Sequence, residues 1–184
     1  MNTLILLFHP DLSTSHANAA MARAAVAISG CAVVDMYARH PDGRFDLDHE
    51  VAQLLRADRV VLQFPVQWYS TPPLLKAWQD EVLTRMFYIR YEEEGRRLQG
   101  TPLLLGVTAG NTPEAYTPSG INLFPLPELL RPLHATAHRC ALSWSDPFIA
   151  YRATDLDAAA AQRIADDYAA HLRRWIGATA SGTA

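Results

Sequence analysis

"VVLQFPVQWYSTPPLLKAWQDEVL", residues 60–83, is the stretch on which the fold turns. It opens as an apolar, β-branched run, breaks at Pro65, and restarts after Pro72 and Pro73 with apolar side chains at helical spacing. A strand that feeds a helix through so short a break is the first half of a βαβ unit. The break itself has an odd composition. A loop that only reversed the chain would need Gly, Asn or Asp, whereas Gln67, Trp68 and Tyr69 stand here. The double proline fixes the entry into the helix, so these large side chains are held on a stiff loop at the carboxyl end of a strand.

Working outward, the same alternation recurs along the chain. Short apolar runs at residues 3–8, 31–36, 60–64, 102–108 and 140–144 read as strands, the last ending before Pro147. Segments with helical periodicity fall at 15–28, 48–56, 72–84, 126–138 and 155–175. This is the pattern of an α/β protein with a doubly wound parallel sheet. Ser15 is placed to cap the first helix, Thr71 precedes Pro72 and Pro73 in the first turn of the third, and Thr154 or Asp155 can cap the last. Residues 87–100 and 109–124 read as long irregular loops, which in a compact domain are more often functional than idle. One domain over residues 1–176 is expected, followed by a small, polar, frayed tail at 177–184.

Composition excludes several classes. With 49% hydrophobic residues, 19% charged residues and a net charge of −3, neither disorder nor a polyanion-binding surface is indicated, so nucleic acid is not an expected partner. The start, "MNTLILLFHP", has no positive n-region, and no apolar run is long enough to span a bilayer. Cys31 and Cys140 lie far apart with no CxxC or metal-type spacing, which fits a reducing cytoplasm better than a disulfide framework.

In an open parallel sheet, ligands bind beyond the carboxyl ends of the strands. Three strands here end in polar or aromatic segments: "HPDLSTSHAN", "PVQWYSTPP" and "TAGNTPEAY". The first lacks both the GxGxxG and the P-loop patterns, yet Ser13, Thr14, Ser15 and Asn18 gather donors where a helix dipole favours an anion. An N-cap within a hydroxyl-rich turn explains the same residues, and His9 reads equally as a hydrogen-bonded strand-end group or a ligand contact. In the second loop, Trp68 and Tyr69 can cover a planar ring while backbone groups of residues 66–69 bond its polar edge; the other reading puts Trp68 in the core and Tyr69 over a loop. In the third, Gly110 permits close backbone approach and Tyr116 supplies a phenol.

The succession "FHP…STSHAN", "QFPVQWYSTPPLLKAWQDEVL" and "GVTAGNTPEAY" resembles the flavodoxin-like NAD(P)H:quinone oxidoreductases, and especially the Kef-type potassium-efflux ancillary subunits and drug-activity modulators. The resemblance runs over about residues 4–175, and its long second block is the specific part. It implies a flavodoxin-like three-layer sandwich with a five-stranded parallel sheet of order 2-1-3-4-5. It also implies a noncovalent flavin, hydride from NADH or NADPH, two-electron transfer to a quinone in a ping-pong cycle, and a homodimer with active sites at the interface. FMN is expected rather than FAD, since no added segment offers to hold an adenosine. By position, His9 and Ser15, His16, Ala17 and Asn18 resemble the flavin phosphate and ribityl contacts. Pro65, Val66, Gln67, Trp68 and Tyr69 resemble the loop along the isoalloxazine, and Thr108, Ala109, Gly110 and Asn111 the segment under its pyrimidine side. Tyr116 matches a tyrosine beside flavin and substrate.

Two departures stand out. "TAGN" replaces the frequent "TTGG", so that Asn111 either narrows the pocket or adds an amide contact. Asn122, six residues after Tyr116, stands where a histidine is common; it can donate a neutral hydrogen bond to a reduced flavin but cannot carry a balancing positive charge. Tyr116 and Asn122 are therefore the expected catalytic pair. The alternative function is a regulatory ancillary subunit docked on a Kef-type potassium-efflux transporter, which would place a cytoplasmic protein at the inner face of the membrane. His134 and His138 have metal-ligand spacing on a helix but no third ligand, and no metal site is expected. "YEEEGRR" reads as a solvated loop tip, and neither cysteine nor any GxSxG elbow supports a covalent hydrolase.

Overall fold

The computed structural model describes residues 2–154 and 156–180. Its centre is a parallel sheet of β1 (Thr3–Leu7), β2 (Cys31–Asp35), β3 (Arg59–Pro65), β4 (Pro102–Thr108) and a divided fifth strand, in the order β2-β1-β3-β4-β5. The order reverses between β1 and β3, as the flavodoxin-like arrangement requires. Strand alternation explains the two-sided core. Leu4, Leu6, Phe8, Val60, Leu62, Phe64, Leu103, Leu105 and Val107 pack on one face, and Ile5, Val61 and Leu104 on the other.

Helices cover both faces. On the Ile5 side lie α1 (His16–Val26) and α8 (Ala158–Ala180), through Met21, Ala25, Tyr168, Leu172 and Trp175. The other face takes α3 (Leu47–Arg56), after the single turn α2 (Met36–Arg39), together with α4 (Pro73–Trp78) and the pair α6 (Leu126–Leu129) and α7 (Arg131–Arg139). Beneath α3, the buried Glu50 carboxylate accepts from Trp78 Nε1 (2.8 Å) and Gln53 Nε2 (2.6 Å) and meets His40 Nε2 at 3.1 Å.

Several local expectations are corrected. Residues 87–100 are not an irregular loop: beyond α4 the chain winds as wide π turns over Gln79–Leu83, Arg85–Ile89 and Tyr91–Gly95, then closes with α5 (Arg96–Leu98) before β4. The run breaks once, at Arg90, and folds back tightly enough that a Cβ on Gly95 would lie 2.4 Å from the Met86 carbonyl oxygen. Buried Glu94 locks this crossing by accepting from the Arg85 and Arg90 guanidiniums, so "YEEEGRR" is partly internal. The fifth strand does not stop before Pro147: β5 (Ser143–Trp144) is followed by β6 (Phe148–Ala150), and both run parallel to β4. Leu103 pairs with Trp144 and Gly106 with Phe148, so the edge carries one extra residue at a bulge that accommodates Pro147. The helix expected at 126–138 is interrupted at Leu130, just ahead of Pro132.

Finally, α8 begins later than expected. Its first turn is capped by Asp157, whose Oδ1 accepts from Ala160 N, rather than by Thr154; Asp155 lies outside the described residues. The helix runs on to Ala180, so residues 177–180 are helical instead of frayed, and 181–184 lie outside the described residues.

Candidate functional site

The carboxyl ends of β1, β3 and β4 open onto a cleft of about 340 Å³, at the lower end of small-molecule pocket sizes. Its first wall is the start of α1. Ser15 is extended at the N-cap, and its Oγ accepts from Asn18 N at 3.1 Å. The N–H groups of His16 and Ala17, in the first turn, have no carbonyl of their own helix to bond, so they and the helix dipole form an anion-favouring corner. Asp11 organises the approach, capping the 3-10 turn Leu12–Thr14 through Ser13. Its backbone N–H donates to His9 Nδ1 at 3.2 Å, which leaves Nε2 as the N–H of a neutral ring. Burial pushes the His9 pKa down, against the opposing pull of Asp11, so the neutral form persists at pH 7.

The floor is polar and fixed. Asn18 Nδ2 donates to Thr108 Oγ1 at 2.8 Å, tying α1 to the end of β4. Gln63 Nε2 donates to the Asn18 carbonyl at 3.0 Å, while Gln63 Oε1 is buried with no protein partner among the described residues. A buried acceptor without a donor is costly; Gln63 itself is fully buried and does not line the cleft.

The third wall continues the sheet. Val66 N bonds Thr108 O, Ala109 N bonds Ala150 O, Arg152 N bonds Asn111 O, and Ala153 N bonds Ala109 O. These bonds bring Thr154 over Gly110, where a Cβ would meet Thr154 Oγ1 at 2.4 Å. A side chain there would oblige Thr154 to turn its hydroxyl away. Asn111 turns its Oδ1 back onto Thr112 N at 2.8 Å, so its carboxamide closes its own loop rather than narrowing the cleft.

The aromatic loop is a tight two-residue hairpin turn. Gln67 and Ser70 exchange both backbone hydrogen bonds at 3.0 Å, with Trp68 and Tyr69 at φ 46° and 64°. That is the geometry of an Asn-Gly turn built from two bulky residues, which costs on the order of 1–2 kcal/mol each in the left-handed region. Strain of this kind points to a functional demand. Trp68 is 92% exposed, which rules out its placement in the core, and Tyr69 is 45% exposed. Tyr69 Oη donates to Asn122 Oδ1 at 3.3 Å, linking this turn to the loop after β4. Tyr116 is only 9% exposed and packs against Tyr151, with ring centroids 5.8 Å apart. Burial, then the nearby Tyr69 and Tyr151, raises the Tyr116 phenol pKa, so it stays an O–H donor.

Thus His9, Ser15, His16, Ala17, Asn18, Pro65, Val66, Gln67, Thr108 and Gly110 line one cleft. Ala109 is buried behind it; Trp68, Tyr69, Asn111, Tyr116 and Asn122 belong to the surrounding loops rather than its lining. Reading the sequence for cleft residues missed Ala153 and Thr154, whose only signal was their place after the expected fifth strand. His134 lies flat on Trp144, ring centroids 4.6 Å apart, and His138 is exposed one turn further along α7. No helix among the described residues is long and apolar enough to cross a membrane.

Comparison with known proteins agrees with this geometry. A family profile described as a flavodoxin-like fold matches residues 1–174. The chain is 38% identical over 180 residues to the glutathione-regulated potassium-efflux system ancillary protein KefF of Klebsiella pneumoniae, covering 97% of this chain and 99% of that protein. Among solved structures, general stress protein 14 of Treponema denticola in complex with FMN superposes with a TM-score of 0.85 at 33% identity, over 95% of this chain and 99% of that one. An NADPH-quinone reductase from P. pentosaceus superposes with a TM-score of 0.80 at 29% identity, over 93% and 97%.

Proposed function

Since the chain belongs to the flavodoxin-like family, we propose that it is an FMN-dependent oxidoreductase that takes reducing equivalents from NAD(P)H and delivers them to quinones. The observation that carries this reading is the cleft at the carboxyl ends of β1, β3 and β4, with an anion-favouring helix start at one end and a strained aromatic turn at the other.

The residues suit FMN: Gly110 lets main chain border the cleft without a side chain, and the Asn18–Thr108 hydrogen bond makes the floor polar. His16 and Ala17 N–H groups, the Ser15 hydroxyl and the neutral His9 would hold the phosphate, whose negative charge the α1 dipole favours. Neutral donors at this corner fit the lack of any lysine or arginine in the loop. Val66 and Gln67 on one side, and Thr108 with Gly110 on the other, would hold the ring's edges. When bound, FMN supplies the two-electron hydride chemistry that no side chain here can perform. Trp68 and Tyr69, on the turn that borders the cleft at Gln67, would cover the ring by folding over it, and Tyr116 in the neighbouring loop would offer a neutral donor. A single cleft that serves donor and acceptor in turn would give a ping-pong order. Exposed Trp68, Ile121, Leu123 and Phe124 near the mouth suit a homodimer that covers them.

A second reading, a regulatory subunit of a potassium-efflux transporter, draws on the near full-length match to KefF. Rapid quinone turnover by the isolated protein favours the enzyme; co-purification with a transporter and negligible turnover favours the subunit. FMN titration of the flavin-stripped protein tests what both share. Quenching of flavin fluorescence that saturates at one FMN per chain is expected, and no retention of FMN or FAD would overturn the proposal.

A further inference from the structure

Two polar atoms are buried beneath α1 and α8 with no protein partner among the described residues: Gln63 Oε1 and the Tyr168 hydroxyl. Strand pairing brings them together. Gln63 alternates with Leu62 and Phe64 and so shares the face of Val61, while Gly106 shares that same face with Leu104. Gln63 and Gly106 are register partners on β3 and β4, neighbouring strands about 4.8 Å apart. Tyr168 reaches down onto Gly106, its Oη 2.9 Å from where a Cβ would stand. The hydroxyl thus occupies the space that the glycine leaves open, beside the Gln63 side chain.

The Gln63 carboxamide is oriented from the α1 side. Its Nε2 donates to the Asn18 main-chain carbonyl at 3.0 Å and to Asn18 Oδ1 at 3.3 Å. A main-chain carbonyl can only accept, so turning the amide over would set oxygen against oxygen. Gln63 Oε1 is therefore turned away from Asn18 and needs a donor elsewhere. The Tyr168 hydroxyl over the next strand is an unpaired one, and burial raises its pKa, so it keeps its proton. The same polarity runs toward the cleft. With Oδ1 accepting, Asn18 donates through Nδ2 to Thr108 Oγ1 at 2.8 Å. The Thr108 hydroxyl hydrogen has no protein acceptor among the described residues, and Thr108 lines the cleft. A buried donor and acceptor set this close without a direct bond are the setting in which one trapped water bonds both.

We propose that Tyr168 and Gln63 hold one buried water between them, and that this pair positions the Gln63–Asn18–Thr108 chain so that the Thr108 hydroxyl meets the cleft as a hydrogen-bond donor. Hydrogens then run one way: from Tyr168 to the water, to Gln63, to Asn18, to Thr108 and on to the ligand. Tyr168 and Gln63 are positioning residues, acting on the ligand only through Thr108. The water site stands without any ligand. What the hydroxyl meets rests on the FMN reading above, which makes it an acceptor atom of the cofactor.

A crystal structure of the wild-type full chain, with or without FMN, at a resolution that shows ordered water should place one water within hydrogen-bonding distance of both Tyr168 Oη and Gln63 Oε1. A dry gap, or a direct Tyr168–Gln63 bond, would overturn the proposal. In FMN titrations followed by flavin fluorescence, Thr108→Val should raise Kd about two- to tenfold, the range for one lost neutral hydrogen bond, and Thr108→Ser should stay near the wild type. Gln63→Met keeps the length of the side chain but loses its amide, and should fall in the same range. Gln63→Met/Thr108→Val should be no weaker than the poorer single variant, because both changes break one chain. An unaffected Thr108→Val, or additive losses in the double variant, would also overturn it. Tyr168→Phe keeps the packed ring, so it serves even if Gln63→Met folds poorly: in a 1H–15N spectrum it should move the Gln63 side-chain amide pair, and an unmoved pair contradicts the link. Failure of the wild type to bind FMN would sink the cofactor reading alone, a pattern distinct from tight binding that ignores Thr108→Val.

Discussion

Gly110→Ala offers a sharp test of the cleft's construction. The new Cβ would lie 2.4 Å from Thr154 Oγ1, about an ångström inside contact distance, but 3.8 Å from Thr154 Cβ, an ordinary contact. The clash is therefore with one oxygen atom. Thr154 is exposed, so the clash is relieved by turning its β-branched side chain about χ1, against its preferred rotamer. Relief of this kind costs about 0.5–1.5 kcal/mol, or roughly 1–6 °C in Tm at about 2–4 °C per kcal/mol for a chain of this length. Thr154→Ala removes the oxygen and leaves the tolerable Cβ. Differential scanning fluorimetry of the flavin-free protein should show Gly110→Ala melting several degrees low, and Gly110→Ala/Thr154→Ala recovering to the melting point of Thr154→Ala alone. An unshifted Gly110→Ala, or a double variant that stays as low as Gly110→Ala, would refute the close approach of the two loops.

Three further outcomes follow from other parts of the structure. Trp68→Asn with Tyr69→Gly matches the residues to their left-handed turn and should stabilise the protein by about 1–2 kcal/mol in urea unfolding while weakening FMN quenching; a destabilised variant would mean that the turn is not strained. Glu50→Ala strips the acceptor from Trp78, Gln53 and His40 and should cost about 3–5 kcal/mol, with a loss under 1 kcal/mol contradicting the buried network. Burial raises the Tyr116, Tyr151 and Tyr168 phenols, so on alkalinisation the unfolded chain, with ordinary phenols near 10, ionises first and gains stability relative to the fold. Folding stability should therefore decline above about pH 10, and less steeply in Tyr168→Phe, whose lost hydroxyl has no partner among the described residues; equal slopes would exclude Tyr168 as a source.

The parts of this molecule that the sequence made legible are those governed by local pattern. Runs such as "LILLF" and "PLLLGVT" have no stable place except a doubly covered parallel strand, and the three polar strand ends could be read as one site because an open sheet brings them together. Ser15 at the start of α1 followed from capping chemistry alone. What stayed hidden depends on distant partners. The π turns of residues 79–95 are set by Gly95 closing on Met86 and by Glu94 between two arginines, and π and loop segments look alike in an unaligned sequence. Residues 148–150 were passed over because Pro147 signals an end, and only the bulge against β4 lets the edge resume. Asn122 was assigned to the cofactor because of what it replaces; its bond to Tyr69 comes from two loops more than fifty positions apart meeting at the mouth.

The bulged fifth strand also limits how copies of this protein can adhere to one another. A long, flat outer strand would offer a row of free N–H and C=O groups to any passing chain. Here that border is two short pieces out of step with each other, with a proline between them that has no N–H to give. A neighbour trying to lengthen the sheet on this side would lose register after a couple of residues. The fold thus resists zippering along that border.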